Sequence, residues 1–216
     1  MIEQLQQQVE HLIGGVSTAF EVSRTEALSR GERGNCETQR VFPRLLSAEK
    51  LLRMGAEIRL NIGCGSKPLP EYLNVDEREL DAVDLMADAR ELPFKAEGVS
   101  EIYAAHVIEH FTEPDLKTIL LPAWHRLLKP AGTLRIAVPD AEGMIEAFQH
   151  GEFAFEDLRT VTYGGQDYPG NFHHTMFSRE SLQTILREAG FSVGEYTEIA
   201  RRNGLCLEME IRATKS

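Results

Sequence analysis

Arg59-Leu60-Asn61-Ile62-Gly63-Cys64-Gly65, followed by Leu73-Asn74-Val75-Asp76, decides how this chain folds. An apolar strand stops at a glycine-x-glycine turn, and a second short apolar stretch ends in a carboxylate. Glycines lack a Cβ, so the backbone there can pass close to a ligand. A carboxylate at the end of the next strand can accept hydrogen bonds from both hydroxyls of a ribose, as in nucleoside-binding α/β folds. The two stretches together predict a nucleoside site at the carboxyl edge of a parallel sheet.

Two nucleoside cofactors compete for it. The dinucleotide fingerprint is G-x-G-x-x-G opening a helix, with an acid about 20 residues on. Here the third glycine position is Pro68, Pro70 follows, and Asp76 comes 13 residues after Gly63. Proline cannot continue a helix interior. The first helix is therefore predicted to be short or absent, and no strong helix N-terminus awaits a pyrophosphate. A nucleoside without phosphates, such as S-adenosylmethionine, suits the site better than NAD.

The bulk properties narrow the class. A chain of 216 residues with 42% hydrophobic content can build one domain and an appendage. The net charge of −11 opposes binding to a phosphate backbone, so no nucleic-acid partner is expected. No apolar run reaches the roughly 20 residues of a membrane span. The start, Met1-Ile2-Glu3-Gln4, does not read as a secretion signal. Three scattered cysteines, Cys36, Cys64 and Cys206, suggest free thiols in a reducing, cytoplasmic setting.

Residues 1–55 read as an N-terminal helical extension and linker, and 56–216 as the main domain. Ile2, Leu5, Val9, Leu12 and Val16 form a short a/d seam. It reads either as a helix lying on the main domain or as a homodimerising helix, weakened in both cases by Gly14-Gly15. Residues 23–40 are polar. Ser47 is placed to cap a helix over 48–54, closed by Gly55. Strands are predicted at 57–62, 72–76, 82–86, 100–105 and 133–138. Helices are predicted at 113–128, capped by Thr112, and at 179–189, capped by Ser178. Two last strands, 191–199 and 205–213, flank Arg201-Arg202-Asn203-Gly204, and Asn-Gly is a strong hairpin signal. They should be antiparallel neighbours at the edge of an otherwise parallel sheet.

From about 57 to 216 the chain resembles the class I S-adenosylmethionine-dependent methyltransferases, most of all the small bacterial type 11 branch. The resemblance rests on Leu60-Asn61-Ile62-Gly63-Cys64-Gly65, Leu73-Asn74-Val75-Asp76, Asp88-Ala89-Arg90-Glu91-Leu92-Pro93-Phe94, His106-Val107-Ile108-Glu109-His110-Phe111 and Leu127-Leu128-Lys129-Pro130-Ala131-Gly132-Thr133-Leu134, in that order. It implies a Rossmann-like, seven-stranded, mostly parallel α/β sheet with an antiparallel last strand and helices on both faces. It also implies that Gly63, Cys64 and Gly65 pass beneath the methionine part of S-adenosyl-L-methionine and that Asp76 holds the ribose. Asp88 and Ala89 would then face the adenine, and the backbone near His106 the cofactor amine. Asn61 stands where the family usually has an acid. Asp88 also reads as a turn-capping residue in Ala87-Asp88-Ala89-Arg90.

Methyl transfer from a sulfonium is an in-line displacement in which the protein supplies orientation and closeness. A hydroxyl acceptor gains from a base, most often histidine. His106, His110, His173 and His174 are the candidates, with His110 equally readable as structural. His106-Val107-Ile108-Glu109-His110 also satisfies H-x-x-E-H, but a zinc reading would need a third ligand and both histidines on one helix face. No metal is predicted. Residues 148–177 hold seven of the sixteen aromatics, among glycines at 151, 164, 165 and 170. They suit either a lid over the acceptor or a helix-and-loop insertion whose aromatics simply pack. Tyr163, Gln166, His173 and His174 are placed on the acceptor pocket. The expected activity is methylation of a small-molecule or glycan-type acceptor, first a hydroxyl. The alternative is a non-catalytic binder of the same fold working through its N-terminal helix.

Overall fold

The protein is described from a computed structural model covering residues 43–168 and 170–216. The predicted N-terminal seam and the homodimer it suggested lie outside the described residues. The first strand of the predicted core is β2 (Ile58–Ile62), whose Ile58, Leu60 and Ile62 are all buried. β3 (Leu73–Asp76) is buried at every position. Continuous burial marks parallel strands covered on both faces. β4 (Leu85–Met86) and β5 (Val99–Ala105) run parallel to them, as does the longer β6 (Leu128–Pro139).

The chain ends in the hairpin of β7 (Phe191–Asn203) and β8 (Cys206–Lys215), with β8 antiparallel to both β6 and β7. The hairpin signal was right about pairing, but the turn is displaced. Asn203 pairs with Cys206, so the two central residues are Gly204 and Leu205. Gly204 takes φ +59, the positive φ that a type II′ turn asks of its first central residue.

An eighth strand adds to the predicted seven. β1 (Arg44–Leu45) pairs antiparallel with β4, giving the order β1-β4-β3-β2-β5-β6-β8-β7. α1 (Ala48–Met54) follows as predicted, ending at Gly55, although Ser47 makes no side-chain cap bond. Residues 44–54, grouped by sequence with the extension, place Leu45 and Leu51 in the same core as the sheet.

The helix predicted at 113–128 occupies 113–127 and is called α2 here. It starts at Thr112, whose side chain accepts from the Asp115 amide. It is not uniform: Leu116–Leu120 widens into a π turn just before Pro122. Proline removes one amide donor and its ring presses on the carbonyl four residues back, here that of Thr118. A wider turn is one way to relieve that clash. The link from β2 to β3 contains no helix, as its prolines predict.

Two helices come directly after β6, the second within the 148–177 stretch for which a helix-and-loop insertion is one of the two readings. α3 (Ala141–Gln149) is capped by Asp140, whose Oδ1 accepts from the Gly143 amide, and α4 (Phe155–Tyr163) follows. α5 (Arg179–Glu188) has a capping box in which Ser178 and Ser181 satisfy each other's amides. Among the described residues no helix is long and apolar enough to cross a membrane.

Candidate functional site

Ligands of open α/β sheets bind beyond the carboxyl ends of the strands, where the order reverses. In this sheet β2 lies between β3 and β5, so the reversal is at the end of β2. The turn there is tight. Gly63 has φ +64, and the Cys64 amide donates to the Val75 carbonyl at 3.0 Å, fastening the turn to β3. The Cys64 thiol is buried, and burial, helped by the Asp76 charge, pushes it up to about 12. Cys64 can therefore offer a ligand its backbone, not a thiolate. Asn61 sits under the same turn. Its amide donates to Asn74 Oδ1 at 2.9 Å and to the Lys67 carbonyl at 3.3 Å. Asn74 in turn binds Asp84 and the Leu69 backbone. Asn61 thus ties down the loop over 63–72.

Asp76 closes β3 and is 6% exposed. Its Oδ2 accepts from the Gly65 amide at 2.9 Å, which draws the glycine turn onto the acid that sequence placed at the ribose. Its Oδ1 accepts from the Arg78 amide and the Arg78 Nε, both at 3.0 Å. Arg78 also lies over the Tyr168 ring, 4.8 Å from its centroid. Asp88 repeats the pattern one strand over: it accepts from the Arg90 amide at 2.8 Å and from Arg90 Nη2 at 2.6 Å. Burial works against its charge, but Arg90 outweighs it and holds the Asp88 carboxyl below its usual range. Asp88 therefore does cap its turn, and it stands beside Asp76 through the Ala87 amide, which donates to the Asp76 carbonyl.

The Ala89 carbonyl accepts from the indole of Trp124, which is fully buried, at 2.9 Å. Trp124→Phe leaves that carbonyl without its donor. Loss of this part-buried hydrogen bond costs about 0.5–1.5 kcal/mol, which denaturant unfolding should register as a lower midpoint.

His106 leaves the end of β5 with φ +55, a left-handed conformation that is unusual outside glycine. Its amide donates to the Ala137 carbonyl at 2.9 Å. Its ring is held between two buried carboxylates: Nε2 lies 2.8 Å from Glu208 and Nδ1 lies 3.2 Å from Glu109. Burial opposes a charge on the ring, but the two carboxylates outweigh it and raise His106 to about 9. With both nitrogens engaged, His106 has no lone pair for an acceptor proton. Its place at the end of β5 stands; its role as a base does not fit this geometry.

His110 and His173 come together. Their rings meet edge to face, 4.7 Å between centroids. His110 Nδ1 lies 3.0 Å from the Gly170 carbonyl and 3.1 Å from that of Phe172. His173 Nδ1 lies 2.7 Å from the Val161 carbonyl, and burial, the largest influence, lowers its basicity. The His174 side chain is exposed, while its amide donates to the Glu109 carbonyl at 2.7 Å. Tyr163 and Gln166 lie on the same segment, which is folded on itself: Gln166 N donates to the Asn171 carbonyl at 2.9 Å and His173 N to that of Tyr163 at 3.0 Å.

A family model described as Methyltransferase domain matches residues 37–196. The chain belongs to the methyltransferase domain family. It is a class I S-adenosylmethionine-dependent methyltransferase, and S-adenosylmethionine is its cofactor. No curated protein matches it.

Among solved structures, this methyltransferase resembles a Burkholderia thailandensis 1,6-didemethyltoxoflavin-N1-methyltransferase with bound 1,6-didemethyltoxoflavin and S-adenosylhomocysteine. They share 17% identity over 78% of this chain and 76% of that one, with a TM-score of 0.53. A possible histamine N-methyltransferase from Thermotoga maritima is 19% identical over 78% and 89%, with a TM-score of 0.51. An S-adenosylmethionine-dependent methyltransferase from Archaeoglobus fulgidus gives 19%, 77% and 92%, with a TM-score of 0.51. Likeness at this level shows the fold.

The sequence reading missed Arg78, Arg90, Glu109 and Glu208. Two of them had a signal. Asp76-Glu77-Arg78 and Asp88-Ala89-Arg90 share the Asp-x-Arg spacing at successive strand ends, and an Asp in such a turn readily accepts from the amide two residues on. Glu109 is three residues from His106 and meets it locally, whereas Glu208 is 102 residues away in sequence and only the hairpin's return beside β6 brings it there.

Proposed function

We propose that this methyltransferase moves the methyl group of S-adenosylmethionine to a nucleophilic atom of a small-molecule or glycan-type acceptor, first a hydroxyl, by in-line displacement. In this reading Asn61 and the Gly63-Cys64-Gly65 turn position the methionine part of the cofactor, Asp76 the ribose, and Asp88 with Ala89 the adenine. Arg78 shares Asp76 with the ribose and Arg90 shares Asp88 with the base. The observation that carries the acceptor class is the exposure of Tyr163, Tyr168, Phe172 and Met176 on one segment tied to the strand ends. Exposed aromatics in such a place suit the flat faces of rings and sugars.

His173 and His174 bring imidazoles to the acceptor side. An amine acceptor is the second reading, favoured by the engagement of both His106 nitrogens, since an amine needs less help from a base than a hydroxyl does.

Transfer of labelled methyl to a panel of hydroxylated and amine-bearing rings and sugars tests the acceptor. His173→Ala with His174→Ala is expected to lower kcat/KM by at least about 100-fold, the lower range for lost general acid–base help. Affinity for S-adenosylhomocysteine should stay within about threefold. Unchanged turnover in that variant would remove both histidines from the acceptor site.

A further inference from the structure

Glu109 is the least satisfied polar side chain of the described residues. It is 1% exposed, and neither carboxylate oxygen receives a hydrogen bond. A buried carboxylate left in that state is costly unless something binds it. His106 Nδ1 lies 3.2 Å from Oε1 as an ion-pair contact without making a hydrogen bond to it.

Two imidazoles border the same spot. One ligand atom each from Glu109, His110 and His173 lie within 4.8 Å of one another. Carbonyl oxygens only accept, so His110 and His173 must both carry their protons on Nδ1, where Gly170, Phe172 and Val161 receive them. In the neutral ring that tautomer leaves each Nε2 its lone pair. A neutral ring whose far N–H is fixed by a backbone carbonyl is the state in which histidine binds metal.

We propose that Glu109, His110 and His173 form a site for a divalent transition metal, zinc first by their donor set, with a fourth position open to solvent or to an acceptor atom. The last role rests on the acceptor reading above, with His174 left as the proton acceptor once His173 Nε2 holds the metal; metal binding itself does not. The H-x-x-E-H spacing suggested His106 as a ligand, and that is not the arrangement, because His106 is held by Glu208. The third ligand comes instead from a segment 63 residues further on. Two histidines, one carboxylate and an open position make a zinc donor set. Bonds of about 2.0–2.1 Å in a tetrahedron hold ligand atoms roughly 3.3 Å apart, so metal entry draws these donors together by up to about 1.5 Å.

The two segments are already joined for this. The amides of His174 and Thr175 both donate to the Glu109 carbonyl, and Thr175 Oγ1 donates to the Phe111 carbonyl at 2.7 Å. A metal would cross-link the turn after β5 to the aromatic segment.

Protein stripped with a chelator is titrated with Zn²⁺ and with Co²⁺ alone, by calorimetry and by visible Co²⁺ absorption. One equivalent is expected, with the strong d–d bands of a tetrahedral site. His110→Asn and His173→Asn keep an N–H for the carbonyls and remove the Nε2 ligand. Each is expected to weaken binding by at least about 100-fold while S-adenosylhomocysteine affinity stays within about threefold, which also reports that the variants fold. Absence of binding at about 1 mM metal would overturn the proposal. So would undiminished binding in the doubly substituted protein, which would place the metal on other residues. Neither failure would touch the acceptor reading, which labelled-methyl transfer tests separately.

Discussion

Gly63→Ala is expected to lower S-adenosylmethionine affinity by more than about 100-fold, the largest effect anticipated for so small a change. Gly63 has φ +64, which costs an L-residue about 1–2 kcal/mol. A Cβ built there would stand 2.5 Å from Val107 Cγ2, well inside contact distance. Relieving such overpacking typically costs about 1–3 kcal/mol. The two costs together predict a loss of about 2–5 kcal/mol in stability, hence a fall in Tm of roughly 4–20 °C for a chain of this size.

The binding loss follows from where the strain must go. Val107 is 8% exposed and follows His106, which is fixed between Glu109 and Glu208, so it has little room to retreat. The turn must yield instead, and with it the Gly65 amide that Asp76 accepts. Adding Val107→Ala should remove the clash and leave the backbone cost, recovering part of the stability and part of the affinity. Calorimetry with the cofactor and thermal unfolding measure both. Affinity within about threefold of the parent in Gly63→Ala alone would refute this account of the turn.

How far the sequence revealed the fold depends on the range of the interactions that set each feature. The β2–β3 unit was legible because its determinants are local: buried apolar runs, glycines at the turn, and prolines that forbid the intervening helix. The antiparallel end of the sheet was legible for the same reason, through one Asn-Gly pair. The π turn in α2 had a local cause too, since Pro122 stands in a run that otherwise reads as helix, and that proline went unused. β1 could not be read, because two residues carry no period and Arg44–Leu45 is a strand only by pairing with β4. The candidate site divides in the same way. Asp76 and Asp88 were singled out as candidates from their strand-end positions. The histidine cluster was seen as four separate candidates, and only folding sorted it, placing His106 between carboxylates and His110 against His173. Asp140, also at a strand end, proved to be a cap for α3 that additionally receives Arg179 and the Ala200 amide.

Glu208→Ala should cost about 3–5 kcal/mol, the usual range when one partner of a buried charge pair is removed. Glu208 is 4% exposed and accepts from His106 Nε2 at 2.8 Å, from Arg201 Nε at 2.7 Å and from Asn203 Nδ2 at 2.7 Å. Arg201 is partly exposed and has Glu198 and Glu210 as other partners, so it can re-pair. His106 cannot, because Glu109 is its other carboxylate and is already beside it. Glu208→Gln keeps the shape and an acceptor but not the charge, and should fall between the parent and the alanine variant.

The charge also sets a pH dependence. Burial pushes the Glu208 carboxyl up, but hydrogen bonds from His106, Asn203 and Arg201 outweigh it and bring it to about 2, below the ordinary 4.5. A group whose pKa is lower in the folded state stabilises fully above its unfolded value and loses that contribution as pH falls toward the folded one. The stability gap between parent and Glu208→Gln should therefore be widest near pH 6 and shrink between about pH 4.5 and pH 2. Urea unfolding of both proteins at pH 6, 4 and 3 measures it. A gap near zero at all three pH values would mean that Glu208 acts by shape alone, and that His106 owes its position to Glu109 and the Ala137 carbonyl.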